Sequence, residues 1–202
     1  MTIDRPQSKT ATRFEQVVGR IDDDYFSLVS NLGLQVLHPG QLVTFDRKQG
    51  AALYLSAGSY GGGELGGSRQ VIICAPGVTF PKQITITGSV EIQNGTFVCA
   101  ENTPAIVVAS GGSLLLSNSS ISKGDLIHTA ATDRYITVET GGYGSFNVCR
   151  FFGNQATVGT IITNEDALNP ARVAAVGCVN YTGIVAATRY TNVGYSQDVA
   201  AA

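Results

Sequence analysis

Chemistry in this chain would have to come chiefly from its carboxylates. Two Asp or Glu side chains held across a glycosidic bond can hydrolyse it, one protonating the leaving oxygen while the other activates water. The candidates are Glu91, Glu101, Asp125, Asp133, Glu139, Glu165 and Asp166. Only Glu165 and Asp166 are adjacent, in a segment that runs into Asn169-Pro170 and reads as a loop, so solvated turn charges are the simpler assignment. The two histidines are His38 and His128. His128 falls inside the apolar run Leu126-Ile-His-Thr129, where a side chain satisfied by its neighbours is a better reading than a general base. The four cysteines, Cys74, Cys99, Cys149 and Cys178, are too widely spaced for a zinc site, which uses paired ligands at short spacing, and read as small buried hydrophobes. The glycine-rich stretch from Gly58 to Gly67 lacks the Gly-Lys-Ser/Thr ending that places a lysine on phosphates and reads as a turn. These residues predict no catalytic centre, no metal and no cofactor: a protein that is not an enzyme.

The elements that would position these residues form a repeat. Val90-Glu-Ile-Gln-Asn-Gly-Thr-Phe97 is echoed by Leu114-Leu-Leu-Ser-Asn-Ser-Ser-Ile121, by Phe146-Asn-Val-Cys-Arg-Phe-Phe152 and by Val173-Ala-Ala-Val-Gly-Cys-Val179. A shorter apolar strand follows each, at Ala105–Val108, Leu126–Thr129, Thr160–Thr163 and Gly183–Ala186. Neither strand can bury its apolar face alone, but stacked copies share one core, which is the physical logic of a solenoid. The expected fold is all-β: a short parallel β-helix, right-handed by the chirality of parallel crossovers. Asn94 and Asn118 occupy equivalent corners, where asparagine tolerates left-handed backbone and can form a side-chain ladder, with Arg150 and Gly177 read as its successors. Two stretches, Thr129 to Gly144 and Asn164 to Pro170, read as insertions. Residues 1–50 are expected to form a polar arm, an amphipathic helix near 11–19 and a cap, with strands at Leu34–Leu37 and Leu42–Phe45. Residues 51–190 would form the β-helix and 191–202 a tail that crosses to a neighbouring subunit.

The run Leu53-Tyr-Leu-Ser-Ala-Gly-Ser-Tyr60, a Gly-rich loop, Val71-Ile-Ile-Cys-Ala-Pro-Gly77 and Ile84-Thr-Ile-Thr-Gly-Ser-Val-Glu-Ile-Gln-Asn-Gly-Thr-Phe97 is similar to the opening coils of pectin-lyase-like right-handed parallel β-helices. The resemblance extends over roughly 51–190. It implies the architecture and, in that superfamily, enzymes acting on acidic polysaccharides. The paired-Asp and Gly-His-Gly motifs of its polygalacturonases are absent here, as is the lyase pattern of clustered acidic calcium ligands with a catalytic arginine. The resemblance therefore carries fold and not activity.

Composition narrows the partners. Charged residues make up 14% and the formal net charge is -2, which provides no basic stripe for nucleic acid. No stretch approaches the roughly 18 apolar residues of a membrane span, and the polar first residues lack the apolar core of a secretory signal, so synthesis in the host cytoplasm is expected. Low charge with abundant Ala, Gly, Ser and Thr resembles bacteriophage head-decoration, head-fibre and tail proteins. That resemblance implies a capsid decoration (cement) protein on the virion surface, assembled as a homotrimer. Its partner would be the major capsid protein or another virion protein, contacted through Arg5, Arg13, Phe14 and Arg20. The alternative is a tail-spike or tail-fibre domain binding host glycan through exposed Tyr60, Tyr135 and Tyr143, residues that could equally pack at a trimer interface.

Overall fold

The computed structural model describes residues 34–37, 52–67, 70–100, 103–123, 133–153 and 159–199. Strand formation follows from alternation. In Gln70-Val-Ile-Ile-Cys74 every second side chain is buried, and the same period of two recurs in Ser113-Leu-Leu-Leu-Ser117, as expected of strands with one face on a core. The described part of the chain begins with β1 (Leu34–Leu37) and then winds through five coils of three strands each and a sixth of two. They are β2 (Ala52–Leu55), β3 (Gly58–Ser59) and β4 (Gly63–Leu65); β5 (Gln70–Cys74), β6 (Val78–Phe80) and β7 (Ile84–Ile86); and β8 (Ser89–Gln93), β9 (Thr96–Val98) and β10 (Ile106–Val108). There follow β11 (Ser113–Ser117), β12 (Ser120–Ser122) and β13 (Arg134–Val138); β14 (Tyr143–Asn147), β15 (Arg150–Phe152) and β16 (Thr160–Asn164); and β17 (Val173–Tyr181) with β18 (Tyr190–Thr191). A last strand, β19 (Tyr195–Val199), lies on β17.

All pairings between these strands are parallel, each strand lying on its counterpart one coil away. The first strands of the coils make one face, the second strands another and the third strands a separate six-stranded sheet. In the last coil β17 serves both of the first two faces, joining them into one sheet of thirteen strands. The architecture is a parallel β-helix.

Registration converts the sequence repeats into columns of like residues. Leu53, Ile72, Ile92, Leu116, Phe146 and Ala175 succeed one another inside the first face, all buried. Inside the third face Ile84, Ile106, Ile136 and Ile162 do the same. The second face carries an aromatic stack, with Tyr60 6.0 Å from Phe80 and Phe80 stacked on Phe97 at 4.8 Å, an offset geometry that contributes about 0.5–1.5 kcal/mol beyond area burial. The stacked core is therefore shared between coils, so no coil is stable by itself.

Several expectations change. The amphipathic helix near 11–19, the strand Leu42–Phe45, His38 and His128 lie outside the described residues. Among the described residues the parallel stack runs from β1 to β19, past both limits of the expected 51–190 span, and the expected tail contains a strand seated on the chain's own β17. Thr129–Gly144 is not a continuous insertion, because its second half supplies β13 and the start of β14. In the last coil the third-face strand is Tyr190–Thr191 and not Gly183–Ala186, because Tyr190 is the residue in register with Ile162. The Gly183 segment bends instead into a 3-10 turn at Ala186–Thr188.

Candidate functional site

The turn between the first and second faces needs one residue with positive φ per coil. Asn94 (φ 63°), Asn118 (φ 46°), Val148 (φ 54°) and Gly177 (φ 64°) fill this place in successive coils. Backbone hydrogen bonds fix the register: Asn94 N–H donates to Ser117 O, Asn118 N–H to Asn147 O and Val148 N–H to Val176 O. The asparagine ladder is present between Asn94 and Asn118, but the third member of the corner is Val148, and Arg150 lies two residues further on, in β15. A β-branched residue in the left-handed region is a true outlier, strained against its own Cβ. Val148 is nevertheless held there and is 51% exposed.

The strain coincides with a change of surface. On the outside of the second face the column Val98, Ser122, Phe152, Tyr181 turns aromatic at its end. The rings of Phe152 and Tyr181 stack 5.0 Å apart and nearly parallel, at 4°, while remaining 38% and 44% exposed. On the outside of the first face Gln93, Ser117 and Asn147 give way to exposed Val176. Val148 and Val176 thus put exposed apolar groups at the corner of the last two coils, and Phe152 and Tyr181 put a second exposed apolar pair further along the second face, with exposed Arg150 between Val148 and Phe152. Such a surface suits burial against another apolar surface. The sequence signal was available: the corner residue changes from Asn to Val while the flanking strands keep their pattern.

The three tyrosines expected to meet a partner are separated by the fold. Tyr60 and Tyr135 are core residues, which corrects the expectation that they are exposed. Tyr60 donates its hydroxyl hydrogen to Ser56 O at 2.8 Å, and Tyr135 donates to Phe152 O at 3.0 Å. Burial pushes both phenols above their ordinary range. Tyr60 follows the inward phase of its coil, whereas Tyr135 is buried next to inward-facing Ile136 and so outside that alternation, and each polar tip is satisfied by a backbone carbonyl, which is what makes a buried tyrosine tolerable. Tyr143 is exposed, with the Arg172 guanidinium 4.7 Å from its ring centroid. Arg5, Arg13, Phe14 and Arg20 lie outside the described residues.

The described carboxylates among the candidates are engaged locally. Glu91 accepts from Gln93 Nε2 at 2.7 Å, Glu139 from Ser110 N–H at 3.4 Å and Glu165 from Arg134 at 3.2 Å. Asp166, buried, accepts from Asn169 Nδ2 at 3.0 Å and faces Arg172 at 3.7 Å. Glu101 and Asp125 lie outside the described residues. The four cysteines are free thiols and buried. Burial pushes the Cys74 thiol up to about 12 and the Cys99 thiol up to about 11, while Cys149 is pushed up by its hydrogen bond with Cys178 and then by burial. Thiols held in this way are poor nucleophiles.

One polar cluster was not anticipated. Lys123, at the end of β12, and Asp133, just before β13, form an ion pair of 2.5 Å with side chains only 3% and 5% exposed. Lys123 Nζ also donates to Arg134 O at 2.9 Å and lies 4.8 Å from the Tyr135 ring centroid. In the sequence neither residue stands out from the other turn charges, and only coil closure brings them together.

No family model matches this chain, and neither a curated protein nor a solved structure does.

Proposed function

We propose that the chain is a structural protein of a bacteriophage particle, a capsid decoration protein that assembles as a homotrimer on the head surface. In this reading the apolar corner of the last two coils packs against the same region of two other copies around a threefold axis, and the N-terminal residues, including Arg5, Arg13, Phe14 and Arg20, hold the major capsid protein. The observation that carries it is Val148. An exposed valine kept at a corner that favours Asn or Gly, on the same coil as the exposed Phe152 that stacks on Tyr181, costs folding energy that burial between subunits would offset. A β-helix with shared core columns also supplies the rigid projecting body such a role requires. Closed rotational assembly is the usual way for a chain with one apolar flank to cover it without forming filaments.

The glycan-binding alternative now has less support, since Tyr60 and Tyr135 are buried and Tyr143 alone of its three tyrosines faces solvent. Light scattering on the purified full chain tests the assembly: three times the 21.1 kDa chain mass is expected. The combined substitution Val148→Asn, Phe152→Ser and Tyr181→Ser should then yield a monomer with an unchanged β-sheet circular dichroism spectrum. A wild-type monomer overturns the trimer. Loss of binding to phage heads on deletion of residues 1–20, with the spectrum retained, is the expected result for capsid attachment, and undiminished binding rejects that role for the N-terminal region.

A further inference from the structure

We propose that Lys123 and Asp133 become joined by an intramolecular isopeptide bond, a covalent link between the end of β12 and the start of β13. Three features of the site support this. The reacting groups are already in contact, with Nζ 2.5 Å from Oδ1. The amine is held from a second direction by Arg134 O at 2.9 Å, and the ring of Tyr135 lies 4.8 Å from Nζ, so Nζ has little freedom to leave the carboxyl group. Both side chains are almost wholly removed from water.

Proximity of this kind replaces a bimolecular encounter with an intramolecular one, for which effective concentrations are very high. Burial acts on the equilibrium as well. A dehydrated ammonium and carboxylate lose much of their solvation, whereas an amide and a released water carry no net charge, so the interior favours condensation more than bulk water does.

The step balances without an oxidant, a reductant or a co-reactant. One ammonium proton passes to the carboxylate within the contact, leaving an amine and a carboxylic acid. The Nζ lone pair attacks Cγ of Asp133 and forms a tetrahedral centre. One carboxyl oxygen then leaves as water, taking a second proton from nitrogen, and the N–Cγ bond remains as a secondary amide that keeps one N–H. That N–H can still donate to Arg134 O. The bond would tie the end of β12 to the start of β13 and lock the turn from the second to the third face, independently of how the chain assembles or what it binds.

The mass of the purified wild-type chain, measured intact under denaturing conditions, tests this directly. The expected result is a mass lower than that of the sequence by one water. Trypsin should fail to cut after Lys123, and residues Gln83 to Arg134 should emerge as a single peptide carrying the water loss, with fragmentation placing the link between Lys123 and Asp133. The Lys123→Arg chain should have the full sequence mass. A wild-type chain at full sequence mass, or a water loss that maps to another residue such as a succinimide, overturns the proposal. Because the deciding measurement is made on the wild-type chain, it stands even if the variant fails to fold.

Discussion

Asn118 Nδ2 donates to Asn94 Oδ1 across one coil at 2.7 Å, and both residues hold the left-handed backbone that turns the first face into the second. The next place in the same column is Val148, which can neither extend the ladder nor relax at positive φ. Sequence repetition and surface chemistry conflict at this one position.

The Val148→Asn chain should therefore be more stable than the wild type when both are compared as monomers. Relief of left-handed strain for a β-branched residue is on the order of 1 kcal/mol, and a second ladder hydrogen bond, from a third asparagine, adds to it. Denaturant unfolding at low protein concentration measures the gain. If the corner is an interface, the same substitution weakens self-association, and light scattering would then move in the opposite sense to stability.

Asn164 breaks an otherwise apolar column. Leu65, Ile86, Val108 and Val138 lie beneath it in register, yet Asn164 is fully buried and exchanges hydrogen bonds with Asn192, its Nδ2 donating to Asn192 O and Asn192 Nδ2 donating to Asn164 O, each at 2.9 Å. Its Oδ1 also accepts from Asp166 N–H at 3.0 Å. Asn164→Leu would match the column but strand these backbone groups, at a cost of roughly 1–3 kcal/mol. Urea denaturation should show the midpoint falling, and hydrogen exchange should speed up at Asp166 before it does in the central coils.

Stability should also fall on the alkaline side. Cys74 and Cys99 are held protonated in the fold, to about 12 and about 11, against an ordinary value of 9.0. Below about pH 9 both folded and unfolded thiols keep their protons and their contribution is fully present; above it the unfolded chain releases protons that the folded chain retains, so the folded state is progressively penalised as pH rises towards the folded values. Thermal unfolding followed from pH 8 to pH 11 should show a declining midpoint, and Cys74→Ala should make that decline shallower.

Much of the fold was legible because a stacked coil repeats both its apolar alternation and its turn residue. Val90–Phe97 and Leu114–Ile121 announce β8, β9, β11 and β12 together with the corner between them, and Thr160–Thr163 falls within β16. The third-face strands were read less well. Arg134–Val138 lies in a stretch that reads as an insertion, and only registration on Ile106 and Ile162 makes it the strand that closes the coil. The same limit applied to Gly183–Ala186 and Tyr190–Thr191.

What the sequence by itself determined is the class of structure: parallel strands, repeated corners, an Asn pair at positive φ and cysteines that serve as packing groups. These follow from local chemistry, since alternation, glycine and asparagine act within a few residues. The tertiary structure alone decided which side chains face inward and which distant ones meet. Tyr60 went to the core and Tyr181 to the outside because inward or outward phase is assigned only when each strand takes its register on the coil beneath it, and a shift of one residue reverses it; coil closure likewise brought Lys123 into contact with Asp133.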